Sequence, residues 1–78
     1  MTTISTSDQR LYVRLAATLE KEIQSGTYTP GKRLPSIGEL CHETGLSRQT
    51  VGKALRLLES EGLIERVPGL GYFVPEDS

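Results

Sequence analysis

Two short stretches of capping chemistry constrain this chain more than any other feature. Ser36 is followed three residues later by Glu39 and then by Leu40. A serine whose side chain bonds the third backbone N–H, with a glutamate reaching back to the serine's own N–H, starts a helix. That helix runs towards Thr44, and Gly45 suits the left-handed residue that stops it. Only Gly45 and Leu46 then precede Ser47, itself a natural N-cap. Val51, Ala54, Leu55 and Leu58 follow at i, i+3, i+4 and i+7, so the spacing predicts another helix, closed by Gly62. Two helices joined by so tight a turn cannot pack antiparallel along their length. They must cross steeply, as in a helix-turn-helix.

The flanking segments extend this unit. Upstream, Leu11, Leu15, Leu19 and Ile23 lie at successive i, i+4 positions with Ala16 beside them, which predicts a helix over Asp8–Ser25 stopped by Gly26. Thr27–Pro35 is a connector holding Pro30-Gly31, a turn signal, and Lys32–Leu34 can be extended because it precedes Pro35. Downstream, Leu63–Val67 reads as a strand, Val67-Pro68-Gly69-Leu70 as a type II turn and Tyr72–Val74 as the returning strand. The expected fold is mainly α with a small β-sheet: a winged helix-turn-helix of three helices plus a β-hairpin wing. Residues 8–75 form the domain, 1–7 a flexible N-terminal tail and 76–78 a C-terminal tail.

Composition narrows the function classes. A chain of 78 residues is one small domain with a thin core. Its 36% apolar and 24% charged residues are ordinary for a globular protein, and no apolar run is long enough to span a membrane. The N-terminal residues show no signal peptide, so a cytoplasmic location is expected. A single cysteine, Cys41, excludes an internal disulfide and a cysteine-based zinc finger. Cys41 and the lone His42 are neighbours in sequence and do not face each other on a helix; no metal site, catalytic set or cofactor is expected.

The formal net charge of -1 argues against nucleic-acid binding when taken as a sum, but its distribution argues for it. Thr44–Leu58 holds Arg48, Lys53 and Arg56 and no acidic residue, whereas Glu59, Glu61 and Glu65 follow at once. On the helix predicted after Ser47, Val51, Ala54, Leu55 and Leu58 point inward, and Arg48, Gln49, Gly52, Lys53 and Arg56 point away. That split suits a helix inserted into a groove. Arg grips guanine and Gln grips adenine through paired hydrogen bonds, each discriminating by about 1–3 kcal/mol. Ser47 and Thr50 are short donors suited to phosphate oxygens, as is the start of the helix itself. Lys53, Arg56 and Arg66 supply charge near the backbone. Gly52 either permits close approach of the helix or is a neutral occupant.

With these elements placed, "LYVRLAATLEKEIQSG", "PGKRLPS" and "GLSRQTVGKALRLLESEGLIERVPGLGYFV" together resemble the DNA-binding domain of GntR-type bacterial transcription regulators, over about Leu11–Val74. The resemblance implies sequence-specific binding of double-stranded DNA, with the helix at 47–61 in the major groove and the wing at 67–72 at the minor groove. It singles out Ser36, Ser47, Arg48, Thr50, Gly69 and Gly71 as matched positions. Family members usually carry Arg where this chain has Gly38 and Gly52, and often Glu where it has Lys53. A homodimer on a palindromic operator is expected, with Tyr12, Val13 or Leu57 as apolar candidates for pairing, unless pairing uses an effector domain outside these residues or occurs only on DNA. A small-molecule effector is expected only with such a domain. The alternative is a winged-helix module that binds protein rather than DNA.

Overall fold

The computed structural model describes residues 3–76. Three helices are followed by a hairpin: α1 (Thr3–Gln24), α2 (Ile37–Thr44), α3 (Arg48–Ser60), β1 (Glu65–Val67) and β2 (Gly71–Phe73). The expected architecture is present.

Helix α1 begins at Thr3 rather than Asp8, so the expected 1–7 tail is helical in its backbone from Thr3 onward; Met1 and Thr2 lie outside the described residues. No Gly or Pro interrupts residues 3–7, and adding residues to an existing helix needs no new nucleation. Its C-terminus closes as expected at Gly26, φ 94°. The Thr27 N–H donates to Glu22 O at 2.9 Å and the Gly26 N–H to Ile23 O at 3.2 Å, the paired bonds of a Schellman motif. Leu15, Ala16 and Leu19 are buried, but Leu11 is 38% exposed. At about 1.5 Å per residue, the 22 residues of α1 overrun the 13 of α3, so the stripe outlasts its partner.

Helix α2 carries the complete capping box. Ser36 N–H donates to the Glu39 carboxylate at 2.8 Å, and Glu39 N–H donates to Ser36 Oγ at 3.1 Å. Gly45 (φ 76°) ends the helix and lets Ser47 start α3 at once. The inward face of α3 is the centre of the domain: Val51, Ala54, Leu55 and Leu58 have no exposed surface. Leu15, Ala16 and Leu19 from α1, Leu40 from α2, and Leu34, Ile64 and Val74 from the sheet region complete the core.

The wing is antiparallel, pairing Glu65 with Phe73, Arg66 with Tyr72 and Val67 with Gly71. β1 starts at Glu65 instead of Leu63 because the Leu63 N–H is used to close α3, donating to Leu58 O at 3.0 Å. The Lys32–Leu34 piece forms one bridge, Arg33 to Phe73, flanked by Leu34 N–H to Tyr72 O at 2.8 Å and Val74 N–H to Lys32 O at 3.0 Å. This bridge ties the base of the wing to the entry of α2. Of the expected C-terminal tail only Glu76 is described; its carboxylate lies against the turn at Gly31, and 77–78 lie outside the described residues.

Candidate nucleic-acid interface

The site begins with the way α3 starts. Ser47 Oγ accepts the Thr50 N–H at 3.1 Å and donates to Thr50 Oγ1 at 2.9 Å. Thr50, expected as a short donor to phosphate oxygens, is only 3% exposed. Position 50 stands one turn before Ala54 and two before Leu58, at the head of the buried stripe, and its hydroxyl is kept there by a partner on Ser47. Ser47 itself is exposed, with its hydroxyl engaged in capping. Ser36 is likewise exposed and capping α2. Both serines therefore set the directions of their helices.

Arg48, Gln49, Lys53 and Arg56 are all exposed, on the side of α3 opposite its buried stripe. They fall into two rows at i, i+4: Arg48–Gly52–Arg56 and Gln49–Lys53. Gly52, expected to be open to solvent, is buried. Arg56 explains this: its Nη1 comes to 3.4 Å from the place a Cβ at position 52 would occupy. The Lys53 Nζ stands 5.7 Å from the centroid of the Tyr12 ring on α1, inside cation–π range. This row of cations has no acidic residue among positions 44–58, and the glutamates at 59 and 61 cluster at the far end of the helix.

The wing contributes a second surface. Arg66 is exposed on β1. Gly69 has φ 81° and Gly71 φ 117°, conformations that side chains with a Cβ rarely adopt, so the turn alone accounts for both glycines. Between them Leu70 is 63% exposed at the tip. The Arg33 side chain lies against Gly71, with Cδ and Nη1 each 3.9 Å from the position of a Cβ there. The bond from the Ser36 N–H holds the Glu39 carboxyl below its ordinary pKa, desolvation opposes it, and the nearby Arg33 guanidinium adds a smaller lowering effect.

Sequence reasoning overlooked Arg33, which stands in a connector until strand pairing carries it to the wing. The pre-proline extended run was the available signal. It also offered Tyr12 and Leu57 as pairing surfaces, whereas both are half-buried against the core; Val13 is 49% exposed. Cys41 is half-buried against the core and His42 is exposed. No group of metal-binding side chains occurs among the described residues.

Comparison with known proteins matches this geometry to one family. Residues 11–74 match the family model for bacterial regulatory proteins, gntR family. The histidine utilization repressor of Pseudomonas aeruginosa is 46% identical over 66 residues, covering 85% of this chain and 26% of the repressor. The uncharacterized HTH-type regulator YurK of Bacillus subtilis is 40% identical over 68 residues, covering 87% of this chain and 28% of YurK. The chain thus spans about a quarter of the length of these relatives. Among solved structures, the DNA-binding domain of AraR in complex with an operator superposes with a TM-score of 0.80 at 34% identity, covering 82% of this chain and 77% of that one. A GntR family transcriptional regulator from Listeria monocytogenes gives 0.81 at 32% identity, covering 85% and 58%. A family match over most of the sequence, on a fold whose caps, buried stripe and wing were each traced to their residues, means that this chain belongs to the gntR family of bacterial regulatory proteins.

Proposed function

We propose that this domain is the operator-reading part of a bacterial transcription regulator, placing α3 in the major groove of double-stranded DNA and the wing tip at the minor groove. One observation carries the reading: Arg48, Gln49, Lys53 and Arg56 form an exposed, carboxylate-free face directly behind a completely buried stripe. The buried stripe fixes which side of α3 is presented outward. Arg48 and Gln49 occupy the first turn and take base edges; Lys53, Arg56 and Arg66 take phosphates. Ser36 and Ser47 act through helix direction and through the N–H groups at the helix starts, which favour an anion.

The net charge of -1 is compatible with this reading because the field at the interface depends on local charge. One helix reads roughly 3–4 base pairs, too few to find a site among about 10⁶ or more competitors in a genome. The active form is therefore a symmetric pair on a palindromic operator, acting as a repressor in the cytoplasm where the chromosome lies. The operator-bound AraR domain and the histidine utilization repressors support the reading as an operator-binding regulator.

Selection from a random duplex pool, followed by titration of the winning duplex at rising salt, tests it. A palindromic consensus is expected, with a log–log salt slope of about -0.9 for each phosphate contacted. Absence of enrichment, or binding indifferent to salt, overturns the proposal in favour of a protein-binding module.

A further inference from the structure

Six of the eight glycines have positive φ and are explained by backbone geometry; Gly38 and Gly52 do not. At Gly38 a Cβ would meet only Ser36 Oγ, at 3.9 Å. At Gly52 it would meet the Arg56 guanidinium, at 3.4 Å. Gly52 thus lies inside a regular helix that its backbone does not require, on the outward row Arg48–Gly52–Arg56, roofed by an arginine from one turn later.

Side chains on a helix lean towards its N-terminus, over the preceding turn. Arg56 follows that lean. A side chain longer than a methyl at position 52 would compete for the same space. With only hydrogen there, the guanidinium lies back along the helix by about one turn, some 6 Å from the level of its own Cα. It thereby moves towards Arg48 and the end of α3 that enters the groove.

We infer that Gly52 is a seat for Arg56, and that the pair delivers a guanidinium to the groove-facing centre of α3, making Arg56 a determinant of operator binding and Gly52 its positioning residue. This rests on the DNA-binding reading above. The cation at the level of position 52 is supplied by residue 56, so the two positions act as one unit. Gly52 does not act by letting the backbone approach the duplex, since the guanidinium covers it.

The experiment is a double-mutant cycle on the full chain: wild type, Gly52→Met, Arg56→Ala and the double variant, titrated with the labelled duplex recovered from the random pool. Methionine favours helix and fills the seat without charge. Gly52→Met is expected to weaken binding about tenfold in wild type and less than about twofold once Arg56 is alanine. Equal losses in both backgrounds, or no loss in either, overturn the inference. If the methionine variant melts early, Gly52→Gln fills the same space with a polar side chain and repeats the cycle. The Arg56 side-chain Nε–Hε resonance, followed without DNA, reads the seat by itself: it shifts in Gly52→Met, and an unmoved resonance overturns the seat. A wild-type chain that binds no duplex while that resonance still shifts instead removes the DNA-binding reading.

Discussion

Replacing Gly52 with Ala should make the folded domain more stable. The residue sits inside α3 with φ outside the left-handed region, so alanine fits the backbone. The new Cβ would meet only Arg56 Nη1, at 3.4 Å, an ordinary contact with the end of a flexible side chain. No cavity is filled and no hydrogen bond is lost, which leaves helix propensity as the dominant effect, about 0.8–1.0 kcal/mol in favour of alanine. For a domain of this size the whole folding free energy is about 4–12 kcal/mol. A gain near 1 kcal/mol raises Tm by roughly 4–8 °C. Thermal melting followed by circular dichroism measures the shift, and urea unfolding should show a higher midpoint at unchanged slope. A lower Tm would refute the reasoning, because it would mean that position 52 is packed by something firmer than the Arg56 side chain.

Other consequences concern the reading end of α3, the core and acid stability. Arg48→Ala should cost about 1–3 kcal/mol of binding and relax preference at one operator position; a uniform loss over all sequences, measured by competition with single-base variants, would reassign Arg48 to a phosphate. Leu55→Ala removes a side chain with no exposed surface and should cost about 2–5 kcal/mol, a large share of the folding free energy, which a lower denaturant midpoint will show; an unchanged midpoint would refute the packing of α3. Glu39 has its pKa lowered in the folded state by the Ser36 N–H, so its ionised form stabilises the fold. That contribution is complete above the ordinary glutamate pKa and disappears as pH falls through the depressed folded value. The acid limb of a stability–pH curve should therefore flatten in Glu39→Gln, and an unchanged limb would show that the capping carboxylate carries no linkage.

What could be read from sequence was whatever is decided locally. Ser36, Glu39, Gly45 and Ser47 satisfy backbone groups within a few residues of themselves, so the helix-turn-helix and its boundaries follow from chemistry that needs no tertiary context. The inward stripe of α3 was legible for the same reason. The rest depends on packing, rotamers or distant pairing that neither spacing nor residue type reveals. Leu11 is half out because α1 outruns its partner, and Gly52 is covered by a side chain whose rotamer no periodicity reveals. Thr50 reads as a donor to phosphate oxygens, yet it is nearly buried, with its hydroxyl bonded to Ser47. Arg33 joins the wing only through pairing with Phe73, forty residues on.

Backbone amide resonances observed while a selected duplex is added give the most direct test of where DNA meets this domain. At low salt the largest changes should fall on Arg48, Gln49, Gly52, Lys53 and Arg56 and on the wing from Gly69 to Gly71, and added salt should reverse them. Changes centred instead on the glutamate-bearing end of α3 or on Val13 of α1, or a spectrum that the duplex leaves unaltered, would contradict the account.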